Sequence, residues 1–169
     1  MTDKSALLPY RPNVGIALFN AQGRVFIAKR FKDDGPEIIL PGLEWQMPQG
    51  GIDPHEDPSP AAVRELYEET GVTSVEYLAE TPDWVTYEFP PYDGPPHRLA
   101  VFRGQRQKWF AFRFLGPESE IVVTDWRNGQ EPEFDQWRWE KLERVSELVV
   151  PFRREIYAAV AKEFEGFAA

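Results

Sequence analysis

The sequence contains no cysteine, and only two of its 169 residues are histidine. Without cysteine there can be no disulfide bond, thiolate zinc site or cysteine nucleophile. Any metal ion must therefore be bound by oxygen atoms or by the two histidines, which favours a hard cation. Both histidines, His55 and His97, lie in proline-rich segments, and no Gly-x-Ser-x-Gly motif is present. A serine or histidine hydrolase is therefore not expected.

Long apolar runs are also missing. The longest run, residues 14–19, is too short to span a bilayer or to form the core of a signal peptide. Near the N-terminus, only residues 6–8 form an apolar run. We therefore expect a cytoplasmic protein without a membrane partner.

Positive charge is scarce: the chain has 19 Lys and Arg residues and 28 Asp and Glu residues, which gives a net charge of −9. Proteins that bind long nucleic acids through a basic surface neutralise many phosphates, so this charge argues against that mode and against a DNA partner. A bound divalent cation reverses the charge locally and bridges acidic side chains to phosphates. The acidity is thus compatible with a metal site.

The length and composition fit one domain. Hydrophobic residues make up 42% of the chain, with six Trp and twelve Phe, which is enough for one substantial core. We expect residues 1–169 to form this domain and residues 1–9 to be a loose N-terminal arm.

Local patterns predict a sheet with helices around it. Two β-prone runs, residues 14–19 and 24–30, are separated by Asn-Ala-Gln-Gly, which is typical of a hairpin. Residues 32–43 contain two Gly and two Pro without a clear period, which indicates a loop. Residues 152–164 carry the apolar spacing of an amphipathic helix. Further strands are predicted at residues 74–78, 84–89, 108–115 and 136–140.

One helix has clear start and stop signals. Asp57 is a candidate N-cap, Pro58 suits the first helical position, and Gly71 suits the C-terminal cap. The spacing predicts a helix over Pro58–Thr70, with Ala62, Val63 and Leu66 available to face the core.

Three carboxylates share one side of this helix, because residues three and four apart lie on the same face. They are Glu65, Glu68 and Glu69. Such like charges repel one another unless a cation or solvent relieves them. Taken alone, the pattern is more typical of a solvated acidic face than of a metal site.

The surrounding pattern favours the metal site. It consists of Gly50, five residues, Glu56, seven residues, and Arg64-Glu65-Leu66-Tyr67-Glu68-Glu69-Thr70-Gly71-Val72. This resembles the Nudix box at every defining position. The resemblance implies an α/β fold, the Nudix fold, in which a mixed β-sheet is sandwiched between α-helices in an α/β/α sandwich.

The resemblance also implies the site chemistry. Glu65, Glu68 and Glu69 would be catalytic and would bind Mg²⁺ or Mn²⁺, with more than one ion expected. Gly50 would add a carbonyl ligand and Glu133 a further carboxylate. A glutamate, Glu68 or Glu69, would accept the proton of the attacking water. Supporting positions would be Gly71 and the pair of Arg64 and Glu56, which braces the loop against the helix.

Five flanking segments narrow the resemblance. They are YRPNVG (residues 10–15), WQMPQGGID (45–53), GQRQKWF (104–110), EFDQWRW (133–139) and VPFRR (150–154). Together they resemble the bacterial RNA pyrophosphohydrolases and the plant-type dinucleoside tetraphosphate hydrolases, two related branches of the Nudix family. The implied substrate contacts are Arg11, Arg30, Gln49, Lys108, Phe152 and Arg153.

Arg30 and Phe152 could sandwich an unpaired base by stacking. An equally plausible role for Phe152 is to anchor the last helix, and Lys108 could instead be a solvent-facing strand residue. Trp109, Trp137 and Trp139 are expected in the core, because alternate strand positions point inward.

The resemblance implies removal of pyrophosphate from 5′-triphosphorylated RNA, which leaves a 5′-monophosphate and promotes RNA decay, with dinucleoside polyphosphates as further substrates. One alternative has Ap4A as the main substrate, because residues 72–91 look closer to the plant-type enzymes. A second alternative is an inactive nucleotide-binding regulator, which the complete set of box glutamates disfavours. Residues 33–43, at the expected mouth of the pocket, are longer than in many bacterial RNA pyrophosphohydrolases.

Overall fold

The computed structural model describes residues 7–169. Residues 1–6, which hold most of the predicted N-terminal arm, lie outside the described residues. The described chain forms a mixed sheet of eight strands, three α-helices and short 3-10 turns. The strands are β1 (Tyr10–Phe19), β2 (Val25–Arg30), β3 (Trp45–Gln46), β4 (Gln49–Gly51), β5 (Val75–Glu80), β6 (Val85–Glu88), β7 (Gly104–Phe114) and β8 (Phe134–Glu140). The helices are α1 (Pro58–Thr70), α2 (Val145–Leu148) and α3 (Arg154–Phe164).

The sheet is built around β1. Its main strand order is β3-β2-β1-β7-β5, with β4 paired to β1, β6 to β7 and β8 to β2. β1 and β7 run parallel, and the other pairs are antiparallel. The predicted hairpin between β1 and β2 is present.

β1 and β7 are longer than the sequence pattern predicts. Their parallel pairing continues from the Tyr10–Gly104 pair to the Phe19–Arg113 pair. Backbone hydrogen bonds thus extend both strands into polar residues that carry little strand propensity. The short strands β3 and β4 are not predicted at all, and β4 brings Gly50 opposite Val14 of β1.

Apolar side chains fill both faces of the sheet, because successive strand residues point to opposite sides. On one face Ile16 and Leu18 pack with Leu66 of α1. On the other face Phe19 and Trp109 pack with α2 and α3. This arrangement confirms the predicted mixed sheet between helices, and it sets α1 against the strands that carry Gly50.

Helix α1 has the predicted bounds. Gly71 caps it in the left-handed conformation at φ 77°, where glycine carries no Cβ penalty. Asp57 occupies the N-cap position, but its side chain makes no capping hydrogen bond with any described residue. Ala61 and Ala62 are buried beside Leu66, whereas Val63 is 45% exposed, so the expected core position of Val63 is wrong.

Helix α3 begins at Arg154, two residues later than predicted, because a 3-10 turn occupies Pro151–Arg153. Ile156, Val160 and Phe164 are buried, as the spacing indicates. In the part of the chain that the structure describes, no helix has the length and apolar character to cross a membrane.

Candidate active site

A polar cavity of about 500 Å³ opens beside α1 and the beginning of β1. Residues 31–44, which we call the pocket loop, form one wall, and residues 130–133 form another. Charged side chains of both signs line the cavity. The acidic ones are Asp33, Asp34, Glu37, Glu65, Glu69, Glu131 and Glu133, and the basic ones are Arg11, Arg30, Lys32, Arg98 and Arg153.

Glu65 faces this cavity from α1 against the backbone of β4. A Cβ atom on Gly50 would lie 2.0 Å from the carboxyl carbon of Glu65, so that carboxylate occupies the space that a side chain would need. A side chain at position 50 would therefore displace the Glu65 carboxylate from its present position. The same contact places the Gly50 backbone beside Glu65, and the sequence predicts that both residues bind the metal.

Glu65 and Glu68 are largely buried, which rules out a simple solvated acidic face. Burial raises the pKa of Glu65 to about 7, because the charged form loses its water; the Arg64 charge opposes this rise. The charges of Glu68 and Glu133 add to the rise. The carboxyl thus resists ionisation unless a cation compensates it.

Glu69 projects into the same cavity. Its Oε2 atom is buried and has no hydrogen-bond partner among residues 7–169. Burial raises its pKa well above the ordinary value, and the charges of Glu133 and Glu65 raise it further. A buried carboxylate oxygen without a donor destabilises the fold unless a ligand satisfies it.

Glu68 points away from the cavity. Its Oε1 atom accepts a hydrogen bond of 3.1 Å from the Asn128 amide, and its Oε2 atom accepts one of 3.2 Å from Arg64 Nη1. Asn128 is held at φ 51°, a left-handed conformation that asparagine tolerates, and Gly129 follows it in a tight turn. The turn at residues 127–130 therefore fixes the orientation of Glu68.

Arg64 connects α1 to the loop before it. Its guanidinium donates to both oxygens of Glu56, at 2.9 and 2.8 Å, and to the Gly51 carbonyl at 2.8 Å. Nη1 also donates to Glu65 at 2.9 Å. The hydrogen bond to Glu56 and the charge of Glu65 raise the pKa of Arg64 although burial opposes the rise. Arg64 does not line the cavity in the described structure.

These donors suit a hard divalent cation, since they are carboxylate and carbonyl oxygens. The unsatisfied Oε2 of Glu69 and the nearby backbone of Gly50 and carboxylate of Glu65 fit such an ion. Across residues 7–169, no three acidic or histidine side chains already converge on one cation position. Glu68, hydrogen-bonded to Asn128 and Arg64, is not among the described residues that line the cavity.

The other predicted ligand, Glu133, lies at the cavity wall and is exposed. Its charge contributes to the raised pKa values of Glu65 and Glu69. Glu133 therefore shares the cavity with Glu65 and Glu69.

Three of the predicted substrate contacts reach the cavity with groups suited to phosphate or base. Arg11, Arg30 and Gln49 all line it. Burial lowers the pKa of Arg11, and the charge of Arg98 lowers it further, while Glu65 raises it. A partly desolvated guanidinium forms strong hydrogen bonds to phosphate oxygens. Arg11 therefore suits a phosphate that a cation links to the nearby carboxylates.

Lys108 is placed elsewhere. Its ammonium donates to the Thr81 carbonyl at 2.9 Å and lies 3.7 Å from a Glu80 oxygen, and it is not among the described residues that line the cavity. The reason is the register of β7, which sets Lys108 beside Val14 and directs its side chain to the end of β5. Lys108 is therefore a strand residue outside the cavity, as the alternative had it, but its side chain is only 17% exposed and does not face solvent freely.

Phe152 and Arg153, although adjacent in sequence, are placed differently relative to the cavity. Phe152 packs on Tyr87 with ring centroids 5.9 Å apart, and it is not among the described lining residues. Arg153 does line the cavity, but it is 3% exposed and donates to Gln46 at 2.6 Å and to Glu37 at 2.5 Å. The packing of Phe152 supports its alternative role as an anchor for the last helix.

The sequence analysis missed several residues at this site. Glu37 is buried in the floor, Asn128 binds Glu68, and Arg98 and Lys32 stand at the rim. The Asn128-Gly129 pair is a turn signal that sequence inspection could have used. Nothing in the spacing of Glu37 indicates burial, because it lies in a Gly- and Pro-containing loop.

Comparison with known proteins identifies related chains. A model of the NUDIX domain matches residues 9–160. An RNA pyrophosphohydrolase from Azorhizobium caulinodans is 49% identical over 162 residues, which is 95% of each chain. An RNA pyrophosphohydrolase from Afipia carboxidovorans is 52% identical over 161 residues, again 95% of each chain. The solved structure of a C. elegans Ap4A hydrolase superposes with a TM-score of 0.61 at 16% identity, covering 92% of this chain and 98% of the other.

Proposed function

The chain belongs to the Nudix family, and from that premise we propose that it is a metal-dependent RNA pyrophosphohydrolase. It would hydrolyse 5′-triphosphorylated RNA to pyrophosphate and a 5′-monophosphorylated end, and thereby promote RNA decay. Support comes from RNA pyrophosphohydrolases that are about half identical over nearly the whole length.

One observation carries the proposal. Within a single cavity, α1 presents the buried residue Glu65 and the buried Oε2 atom of Glu69, and the guanidinium groups of Arg11 and Arg30 also reach the cavity. Carboxylates suit a divalent cation, and arginines suit phosphate oxygens. A nucleoside polyphosphate bridged to the protein by cations matches this distribution of charge.

Nudix hydrolases generally use divalent metal ions, and we propose Mg²⁺ or Mn²⁺, with more than one ion, for this chain. Glu65, Glu69, Glu133 and the Gly50 carbonyl would hold the ions, and Glu68 would join after turning from Asn128. Bound cations withdraw charge from the phosphate oxygens and lower the barrier to attack by water.

The protein's own groups position the substrate and move the proton. Arg11 and Gln49 would bind phosphate oxygens, and Arg30 would contact the first base or its phosphate. A carboxylate must accept a proton from the attacking water. We favour Glu69 over Glu68, because its Oε2 atom has no donor among residues 7–169, whereas both oxygens of Glu68 are hydrogen-bonded.

A dinucleoside polyphosphate hydrolase with Ap4A as its main substrate is the second candidate. The observation that favours it is the likeness of residues 72–91 to the plant-type enzymes. This segment contributes Tyr87, whose hydroxyl accepts a hydrogen bond from Gln49 in the cavity. Either substrate presents a nucleotide attached to a polyphosphate.

The decisive test compares triphosphorylated RNA and Ap4A at equal Mg²⁺ in ¹⁸O-labelled water. We expect a higher kcat/KM for the RNA, with release of pyrophosphate, and the position of the label identifies the attacked phosphorus. A higher kcat/KM for Ap4A would replace the first candidate with the second. No turnover of either substrate would contradict both and would favour the nucleotide-binding regulator.

A further inference from the structure

Glu37 is a charged residue of the pocket loop that lies in the protein interior with 3% of its surface exposed. Its Oε1 atom accepts hydrogen bonds from the Tyr87 hydroxyl and from Gln105 Nε2. Its Oε2 atom accepts a hydrogen bond of 2.5 Å from Arg153 Nη2. A carboxylate with three side-chain donors is strongly held in one orientation.

The backbone of the same residue holds Arg30. Arg30 Nη2 donates a hydrogen bond of 2.7 Å to the Glu37 carbonyl, and a weaker one of 3.3 Å to the Lys32 carbonyl. Arg30 is 5% exposed, so its guanidinium has little freedom to change direction, although it lines the cavity. The direction of this side chain therefore depends on where the pocket loop places residue 37.

A second path of hydrogen bonds runs from Glu37 through Tyr87 to Gln49, which lines the cavity. Tyr87 donates to Glu37, and Gln49 Nε2 donates to the Tyr87 hydroxyl at 3.2 Å. Gln107 Nε2 in turn donates to Gln49 Oε1 at 3.2 Å. Buried networks of this kind fix orientations jointly, because each group needs the others for its hydrogen bonds.

Arg153 is the cation that pairs with Glu37 in the interior. Its two terminal nitrogens donate to Gln46 and Glu37. Burial alone would lower the pKa of Arg153, but the charge of Glu37 raises it. With both terminal nitrogens bonded and only 3% of its surface exposed, Arg153 is placed as an internal counter-ion for Glu37, and its buried Nε atom has no hydrogen-bond partner among residues 7–169.

From these contacts we propose that Glu37 is a positioning residue for substrate recognition. It pins the pocket loop to Arg153 and Tyr87, and through its carbonyl it sets Arg30 for contact with the nucleotide. This inference rests on the proposed function of the cavity. It also changes the role of Arg153 from substrate binding to support of Glu37.

The test compares Glu37→Gln with wild type on triphosphorylated RNA. The amide keeps the side-chain shape and an acceptor for Tyr87 but loses the ion pair with Arg153. We expect KM to rise about tenfold or more with kcat nearly unchanged. The loss of a hydrogen bond between charged groups typically changes an equilibrium constant about tenfold or more, and here it would loosen the groups that bind the substrate. Glu37→Asp keeps the charge on a shorter side chain and should recover part of the KM.

Glu44→Gln is the matched control. It removes one carboxylate from the same loop, where Glu44 accepts a backbone hydrogen bond from Gly42 at 3.0 Å. KM should stay at the wild-type value in this variant. An unchanged KM in Glu37→Gln, an equal rise in Glu44→Gln, or a fall in kcat alone would each overturn the proposal. If Glu37→Gln fails to fold, the KM of Glu37→Asp is compared with that of Glu44→Gln. A KM for Glu37→Asp no higher than that of Glu44→Gln would then overturn the proposal.

A second readout needs no substrate. The Nε–Hε signal of Arg30 in ¹⁵N-labelled protein, assigned with Arg30→Lys, should show a rigid side chain in wild type and a mobile one in Glu37→Gln. Equal rigidity in both would contradict the positioning role. If wild type turns over no substrate but Arg30 becomes mobile in the variant, the proposed function fails while the positioning of Arg30 by Glu37 stands.

Discussion

Arg64 Nη1 lies 2.9 Å from Glu65 Oε1 and donates a hydrogen bond to it. The same guanidinium binds both oxygens of Glu56 and the Gly51 carbonyl. One side chain thus ties the loop before α1 to the helix and sets the direction of the Glu65 carboxylate. Only the planar fork of arginine reaches all these acceptors together.

Replacing this fork tests its importance. Arg64→Lys should lower kcat about tenfold or more and lower the free energy of unfolding by about 1–3 kcal/mol, because Glu56 loses its two-point partner. Steady-state kinetics and urea unfolding measure the two effects. Arg24→Lys, at an exposed position on the loop between β1 and β2, is the control and should change neither. Equal values for wild type and Arg64→Lys would contradict the bracing role.

The approach of Glu65 to Gly50 leaves no room for a side chain. Gly50→Ala should displace the Glu65 carboxylate and lower kcat roughly 10²-fold, since a displacement of about 1 Å in a catalytic group has that cost. Gly166→Ala is the matched control, because a Cβ atom there meets no atom within 4 Å. If Gly50→Ala retains wild-type kcat, the Gly50 backbone is not part of the site.

The raised pKa of Glu65 predicts how stability depends on pH without metal. Between its ordinary value of 4.5 and about 7, the folded protein binds more protons at Glu65 than the unfolded chain does. This contribution to stability is present at low pH and is lost as pH rises through about 7, with a slope of up to about 1.4 kcal/mol per pH unit.

Chemical unfolding of metal-free wild type and Glu65→Gln at pH 5, 6 and 7 measures this contribution. The wild type should lose more stability than the variant across the series, and Mg²⁺ should restore stability to the wild type at pH 7 through binding to the folded state. Parallel pH dependences for the two proteins would show that Glu65 is not the group responsible.

Glu68 is hydrogen-bonded through both carboxylate oxygens, whereas Glu69 Oε2 has no hydrogen-bond partner among residues 7–169, and this difference gives a further prediction. Glu68→Gln and Glu69→Gln should both abolish Mg²⁺-dependent turnover while the fold stays intact by circular dichroism. Glu69→Gln should not lower the unfolding free energy of the metal-free protein, because it removes a buried charge whose Oε2 atom lacks a donor among residues 7–169. Retained turnover in either variant would remove that glutamate from the mechanism.

The sequence predicted the parts of the fold that depend on local signals. The caps of α1 gave its bounds at Pro58 and Thr70, and the apolar periods gave most of the strands. The two-residue strand β3 and the three-residue strand β4 could not be predicted, because pairing with β2 and β1 creates them rather than their own propensity.

Within the site, the spacing correctly brought Glu65 and Glu69 to one cavity, because helix geometry is regular. It could not show that Glu68 is turned toward Asn128, which is 60 residues away in the sequence. The register that carries Lys108 away from the cavity, and the burial of Glu37, likewise arise from tertiary contacts. Local sequence patterns do not predict the direction of a side chain when residues far away in the sequence determine it.

The central claim is that Glu65 and Glu69 support a cation-dependent removal of pyrophosphate from triphosphorylated RNA. The most direct measurement is pyrophosphate release from such RNA by wild type and by Glu69→Gln, each with Mg²⁺ and with EDTA. We expect pyrophosphate and 5′-monophosphorylated RNA from wild type with Mg²⁺, and neither product from wild type with EDTA or from Glu69→Gln. Pyrophosphate release by wild type in EDTA, equal release by Glu69→Gln, or no release under any condition would contradict it.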